Sequence, residues 1–185
     1  MEIAMTIDEK LFADYTRRRS KNLKEIVRKG ILESIDWSTL KEPFDVQQYV
    51  HQSLLSLVST HAQVSNISPA LVPRVIASLV ETFASELLHA FRKIPSFNMG
   101  GMLQATLEVE FLHQTLGGNV SKQAGDTLQS VYGTIEKAYV GTSGVDLELG
   151  KVKALLQRSR NSTKYIYSCF RSGRKGSKDG GGGKR

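Results

Sequence analysis

FNMGGMLQATLEVEFLHQTL, residues Phe97 to Leu116, is the stretch that decides how this chain folds. Two glycines open it, and a helical pattern follows. Met102, Leu103, Leu107, Val109, Phe111, Leu112 and Leu116 fall on every side of a 3.6-residue helix. A helix that is apolar all round is enclosed by other helices or lies in a membrane. Gln104, Glu108, Glu110, His113 and Gln114 interrupt the run, and no apolar run in the chain approaches the roughly 18 residues of a membrane span. The pattern therefore predicts a central helix with Met102, Leu103, Leu107, Phe111 and Leu116 at its core. The rest of the chain must supply the helices around it.

No stretch alternates with the period of two that marks a strand, so the expected class is all-α, a bundle of about six helices. The first is expected from about Thr6 to Ser34. Its apolar clusters, Leu11/Phe12/Tyr15 and Leu23/Ile26/Val27/Ile31, are separated by an exposed Arg17-Arg18-Arg19, and Gly30 weakens its end. The second starts after Pro43, with Asp45 as N-cap and Gln48 completing a capping box. Val50, Leu54, Leu57, His61 and Val64 form its stripe. The third starts at Ser68-Pro69, a cap followed by proline, and stops before Pro95. The enclosed fourth ends at Gly117-Gly118. Ser121 caps the fifth, with a stripe of Ala124, Leu128, Val131, Ile135, Ala138 and Tyr139. The sixth opens with Asp146 and Glu148, acids suited to a helix start, and carries Leu149, Val152, Leu155, Leu156, Ile166, Tyr167 and Phe170. The expected division is a helical-bundle domain over 1–172 and a disordered basic Gly/Lys/Arg tail over 173–185.

Charge is divided along the chain. Residues 151–185 hold eleven Lys/Arg and one acid, whereas residues 1–150 hold fourteen Lys/Arg against seventeen Asp/Glu. A mildly acidic body thus carries a strongly basic end, which suits an anionic partner or simply water. The single Cys169 forms no intrachain disulfide and fits a reducing compartment. No apolar core precedes the arginine cluster, so no signal peptide is expected, and a cytoplasmic location follows.

Residues able to carry chemistry are few. Glu86/His89 and Glu110/His113 are two Glu-x-x-His pairs, which in a bundle match half the ligand set of a di-metal carboxylate site. Two further inward glutamates are missing: Glu136 points away from its helix's stripe. The expectation is no metal, with Glu110 and His113 satisfying each other or a backbone group. His61 sits within an apolar stripe as a hydrogen-bonded core histidine. Cys169, among apolar neighbours, reads as an inert thiol. The late glycine run lacks the strand and helix of a phosphate loop. No catalytic residue and no cofactor is expected.

The sixth helix allows two arrangements. Lys153, Arg158, Arg160, Lys164 and Arg171 flank its stripe, and Tyr165, Tyr167 and Phe170 add aromatics. Such a helix lies on an anionic membrane or docks by its stripe on the bundle with its cations in water. Arg158, Arg160, Lys164, Arg171, Arg174 and Lys175 are the candidate contacts with a partner or an anionic surface. No nucleic-acid motif accompanies the charge, so no nucleic acid is expected.

The block from Phe97 to Leu116 closely resembles the C-terminal part of the Sec-five family of exocyst subunits. Gly30-Ile31-Leu32, Ile35-Asp36-Trp37, His61-Ala62-Gln63-Val64-Ser65 and Ala77-Ser78-Leu79-Val80-Glu81 agree, and Cys169-Phe170 fits the end of fungal members. The resemblance runs from about Lys10 to Phe170. It implies a stacked helical rod of the tethering-complex type, a non-catalytic scaffold whose partners are other exocyst subunits. Its implied work is to hold secretory vesicles at the plasma membrane before fusion, at sites of exocytosis. Family members are much longer and assemble through N-terminal coiled-coil segments. The resemblance therefore implies either a piece of such a subunit or a truncated product.

Overall fold

Helical spacing of the apolar residues produces six α-helices among the described residues. The structure, a computed structural model, describes residues 2–141 and 145–170, with side chains from 9–141 and 150–170. The helices are α1 (Glu2–Glu33), α2 (Gln48–Ile67), α3 (Val72–Phe91), α4 (Met99–Leu116), α5 (Lys122–Ala138) and α6 (Val145–Ser162). Short 3₁₀ turns cover Pro69–Leu71, Gly117–Asn119 and Ser168–Phe170. The all-α bundle expected from the sequence is the fold observed.

Thirteen of the 18 residues of α4 are buried, which makes it the enclosed helix. Leu103, Leu107, Phe111 and Leu116 are buried in the common core, with Met102 at its edge. α5 and α6 flank α4, α1 packs on α2 and α3, and α3 packs on α5. A joint at the N-terminus of α4 ties these layers together. Asn98 caps the helix by accepting from the Gly101 N–H at 2.8 Å, and its amide donates to the Leu40 carbonyl at 2.8 Å. The Asn98 N–H donates to the Trp37 carbonyl at 3.2 Å. Trp37 in turn donates its indole N–H to the Ile31 carbonyl at 2.7 Å and packs edge-on against Phe91 and Phe97.

Gly100 and Gly101 make this joint possible. A Cβ on Gly101 would lie 1.9 Å from the Trp37 carbonyl oxygen, and one on Gly100 would lie 2.1 Å from that of Leu40. Both contacts are with backbone, which cannot rotate away. Gly101→Ala is expected to destabilise by at least about 1–3 kcal/mol through overpacking. Gly133→Ala meets nothing within 4 Å, and should gain roughly 0.5–1 kcal/mol from lower backbone entropy in a helix. Urea midpoints moving in opposite directions are the expected result; equal shifts would refute the close approach at Gly101. Gly30 plays a similar part where α1 crosses α2, with the Tyr49 side chain lying over it.

Three sequence boundaries are corrected. α2 begins at Gln48 rather than after Pro43, and Asp45 is not its cap. The Phe44 N–H donates to the Gln104 side chain at 3.1 Å and Gln104 donates to the Asp45 carbonyl at 2.8 Å, holding this segment out of the helix. The Asp45 carboxylate accepts instead from the Val46 N–H and the Ser159 hydroxyl. Ser68-Pro69 opens a 3₁₀ turn, not α3, and the Ser68 side chain makes no cap. An α-helix started there would need an N–H from Pro73, which has none. The last helix ends at Ser162, short of Ile166, Tyr167 and Phe170, which were assigned to it. Beyond that point helical spacing fails: Tyr167 and Phe170 are buried, whereas Ile166 is 50% exposed.

Two local expectations hold at the ends of α4 and α5. Ser121 caps α5, accepting from the Ala124 N–H at 3.2 Å and donating to Glu81 at 2.6 Å. Gly117 ends α4 with φ of 44°. Among the described residues no helix is long and apolar enough to cross a membrane.

Candidate functional site

The polar residues that interrupt α4 bind its neighbours. On the α2 side, Glu108 is fully buried. It accepts from the Tyr49 hydroxyl at 2.6 Å and from the Gln104 amide at 2.7 Å, and the Gln47 N–H also donates to it. Burial raises its pKa to about 8, although all three donors oppose the shift. Burial therefore favours the protonated, neutral form of Glu108. A neutral carboxyl in a dry site costs far less than a buried carboxylate.

On the opposite side, Glu110 accepts from the Tyr132 hydroxyl of α5 at 2.8 Å and from the Gln114 amide. Gln114 accepts from the Arg160 guanidinium of α6. One relay thus runs α5–α4–α6, and burial together with Glu110 pushes the Tyr132 hydroxyl well up. The expected pairing of Glu110 with His113 is corrected: Glu110 is taken by Tyr132 and Gln114, and His113 is exposed. His89 is exposed and Glu86 half-buried. Among the described residues no three His, Cys, Asp or Glu side chains group closely enough to hold a metal ion.

A third cluster closes the bundle. The Tyr167 hydroxyl lies 2.9 Å from Nδ1 of His51, and both rings pack against Phe111, His51 at 5.6 Å and Tyr167 at 6.3 Å between centroids. Burial lowers the His51 pKa and pushes Tyr167 up to about 12. His61 is half-buried and edge-on to Phe170, a packing contact at the rim rather than a core position. The half-buried Cys169 thiol is raised by desolvation, which suppresses thiolate chemistry.

The candidate contact residues are dispersed. Arg158 and Lys164 are exposed, Lys164 with its ammonium 5.9 Å from the Tyr165 ring. Arg160 departs from the expectation, being half-buried on Gln114 and spent inside the bundle. Arg171, Arg174, Lys175 and the tail over 173–185 lie outside the described residues. Tyr167 and Phe170 face the core, leaving Tyr165 as the exposed aromatic of the expected trio. Glu108 and Tyr49 were missed in the sequence, where Glu108 read only as a break in an apolar run. Its signal was the spacing Gln104/Glu108, two polar residues one turn apart on a helix otherwise enclosed.

A family model for exocyst complex component Sec5 matches residues 2–170. The chain belongs to that family. Human exocyst complex component 2 is 26% identical over 167 residues, covering 90% of this chain and 18% of the human protein. The mouse protein of the same name is 27% identical with the same coverage, and that of Drosophila melanogaster is 22% identical over 161 residues, covering 86% of this chain and 17% of its own. The chain spans about a fifth of the length of these relatives. No solved structure matches it. Several of the stretches that carried the Sec5 resemblance make contacts between elements. Ile31, Trp37 and Gly100-Gly101 meet at the α4 joint, Gly30 lies under Tyr49 of α2, and Glu81 holds the Ser121 cap.

Proposed function

We propose that this chain is a non-catalytic scaffold module of the exocyst, helping to hold secretory vesicles at the plasma membrane before fusion. The Sec5 match over residues 2–170 carries this reading. The inward-turned polar groups of α4 support it, because Glu108 and Glu110 are engaged by side chains of the bundle. Its partners are other exocyst subunits, with no nucleic acid, no cofactor and no metal. It works in the cytoplasm, peripheral to the plasma membrane at sites of exocytosis. A helical domain over 1–172 does this work, and the basic tail over 173–185 is an accessory. Depleting the gene product that carries this chain should make post-Golgi vesicles accumulate beneath the plasma membrane within one secretory cycle. Normal secretion and no vesicle build-up would refute the tethering role.

A second surface role is favoured by one observation. Arg158 and Lys164 are exposed beside Tyr165, 83% exposed, and Ile166. Continued by Arg171, Arg174 and Lys175, this basic end is proposed to hold acidic surfaces reversibly. Each Lys/Arg near an anionic membrane contributes at most about 1 kcal/mol, screened within about 8 Å at physiological salt. Flotation with anionic liposomes at low salt, lost at high salt and on neutralising Arg174 and Lys175, is the expected result. Equal flotation with neutral liposomes would contradict an electrostatic origin.

A further inference from the structure

The apolar cluster in the first half of α1 lies at the margin of the core: Phe12 and Tyr15 pack against its edge, and Leu11 stays outside it. Leu11 is 63% exposed, and Phe12 and Tyr15 are half-buried. Facing them across a groove of about 380 Å³ are Val64 and Ile67 of α2 and Leu71 of the turn that follows. Ile67 is 84% exposed. Of the eight large apolar residues exposed among the described residues, Leu11, Ile67 and Leu71 line this one groove, and such grouping is the mark of an interaction surface.

The rim of the groove carries positive charge held in place. The Arg74 guanidinium stacks 4.1 Å over the Phe12 ring, and Arg19 lies 5.4 Å over Tyr15 while donating to Gln63. Among the described residues neither arginine forms an ion pair with a carboxylate. Stacking fixes each guanidinium without neutralising it. The edge of an apolar groove thus presents two oriented cations that lack anions.

We propose that this groove docks an amphipathic helix from a protein partner, with its apolar face against Leu11, Ile67 and Leu71 and acidic side chains reaching Arg74 and Arg19. Charge complementarity selects an acidic flank. A helix is the form that fits, because the walls are helices whose backbone groups are already paired. They offer no strand edge for an extended peptide to extend. The proposal stands independently of the exocyst reading, since it concerns the chemistry of the partner segment and not its source.

The probe is a cross-linked helical peptide with leucines at i, i+3, i+4 and i+7 and glutamates along both flanks, set beside the same peptide with lysines for the glutamates. Binding to the full chain is read by fluorescence anisotropy. The acidic-flanked peptide should bind at least about tenfold more tightly than its lysine twin, and should weaken in high salt. Ile67→Asp and Arg74→Glu should each weaken it about tenfold or more. Ile67 is largely exposed, so Ile67→Asp should keep the helical circular dichroism and thermal midpoint of the parent. Equal binding of both peptides, or binding indifferent to both substitutions, would overturn the proposal. So would a concentration-dependent dimer abolished by Ile67→Asp in sedimentation, because it would assign the groove to a second copy of this chain.

Discussion

Replacing Phe111 by alanine is expected to lower the unfolding free energy by about 3–5 kcal/mol and the thermal midpoint by on the order of 10 °C. Phe111 is fully buried on α4 and contacts His51 of α2 and Tyr167 of the C-terminal segment, edge-on in both cases. Its removal therefore leaves a cavity where three parts of the chain meet. Each lost ring pair adds about 0.5–1.5 kcal/mol to the area effect. A domain is stable by only about 5–15 kcal/mol, so this is a large share. Phe44→Ala is the control, since that ring is half exposed beside the same helix and should cost far less. A Phe111→Ala midpoint within error of the parent would show that α4 is not the centre of the bundle.

The second large effect is a pH dependence carried by Glu108. In the folded protein its carboxyl holds a proton up to about pH 8, against an ordinary value of 4.5. Between those values the native state binds more protons than the unfolded chain, so stability falls as pH rises through that window. Below 4.5 the contribution is fully present, and above about 8 it has been lost. Glu108→Gln is uncharged like the protonated acid, with a carbonyl acceptor and an N–H2 in place of the O–H, and titrates nowhere. It should leave stability at acid pH within about 1 kcal/mol of the parent, and exceed the parent by several kcal/mol at alkaline pH. His51 acts in the opposite sense: its lowered pKa removes stability as the solution is acidified. The difference between parent and Glu108→Gln cancels that term, because His51 is present in both. Denaturant unfolding across this pH range is the measurement. Parallel curves for the two proteins would mean that Glu108 is ionised in the fold.

The class of the fold and the identity of its central helix were legible because a helix apolar on all faces admits few surroundings. Ser121 and the Gly117 stop were legible because each satisfies a local rule that no tertiary contact overrides, the Ser121 hydroxyl capping α5 while it also donates to Glu81. Asp45 obeyed the same capping rule and still failed. Gln104, far away in sequence, took the backbone of its segment, and Ser159 took its carboxylate. Ile166 failed because periodicity was carried past Ser162, where the helix stops. Glu108 was hidden by its type, since a glutamate on a helix reads as a solvent position until Tyr49 and Gln104 are placed around it. The pairing of Glu110 with His113 followed helix spacing alone, which carries no account of Tyr132 on another helix. How far the cluster at Leu11, Phe12 and Tyr15 is buried was not legible, because spacing describes one helix and not what lies opposite.

The most direct test of the central claim is affinity capture of this 185-residue chain from cytosol of its source cells, read by quantitative mass spectrometry. Other exocyst subunits should be enriched over capture with an unrelated helical bundle of similar charge. The chain spans a small part of its relatives' length, and contacts between bundles alone are modest. The enrichment should therefore be weak and should disappear in high salt. Absence of every exocyst subunit at low salt, with the chain folded by circular dichroism, would contradict the account.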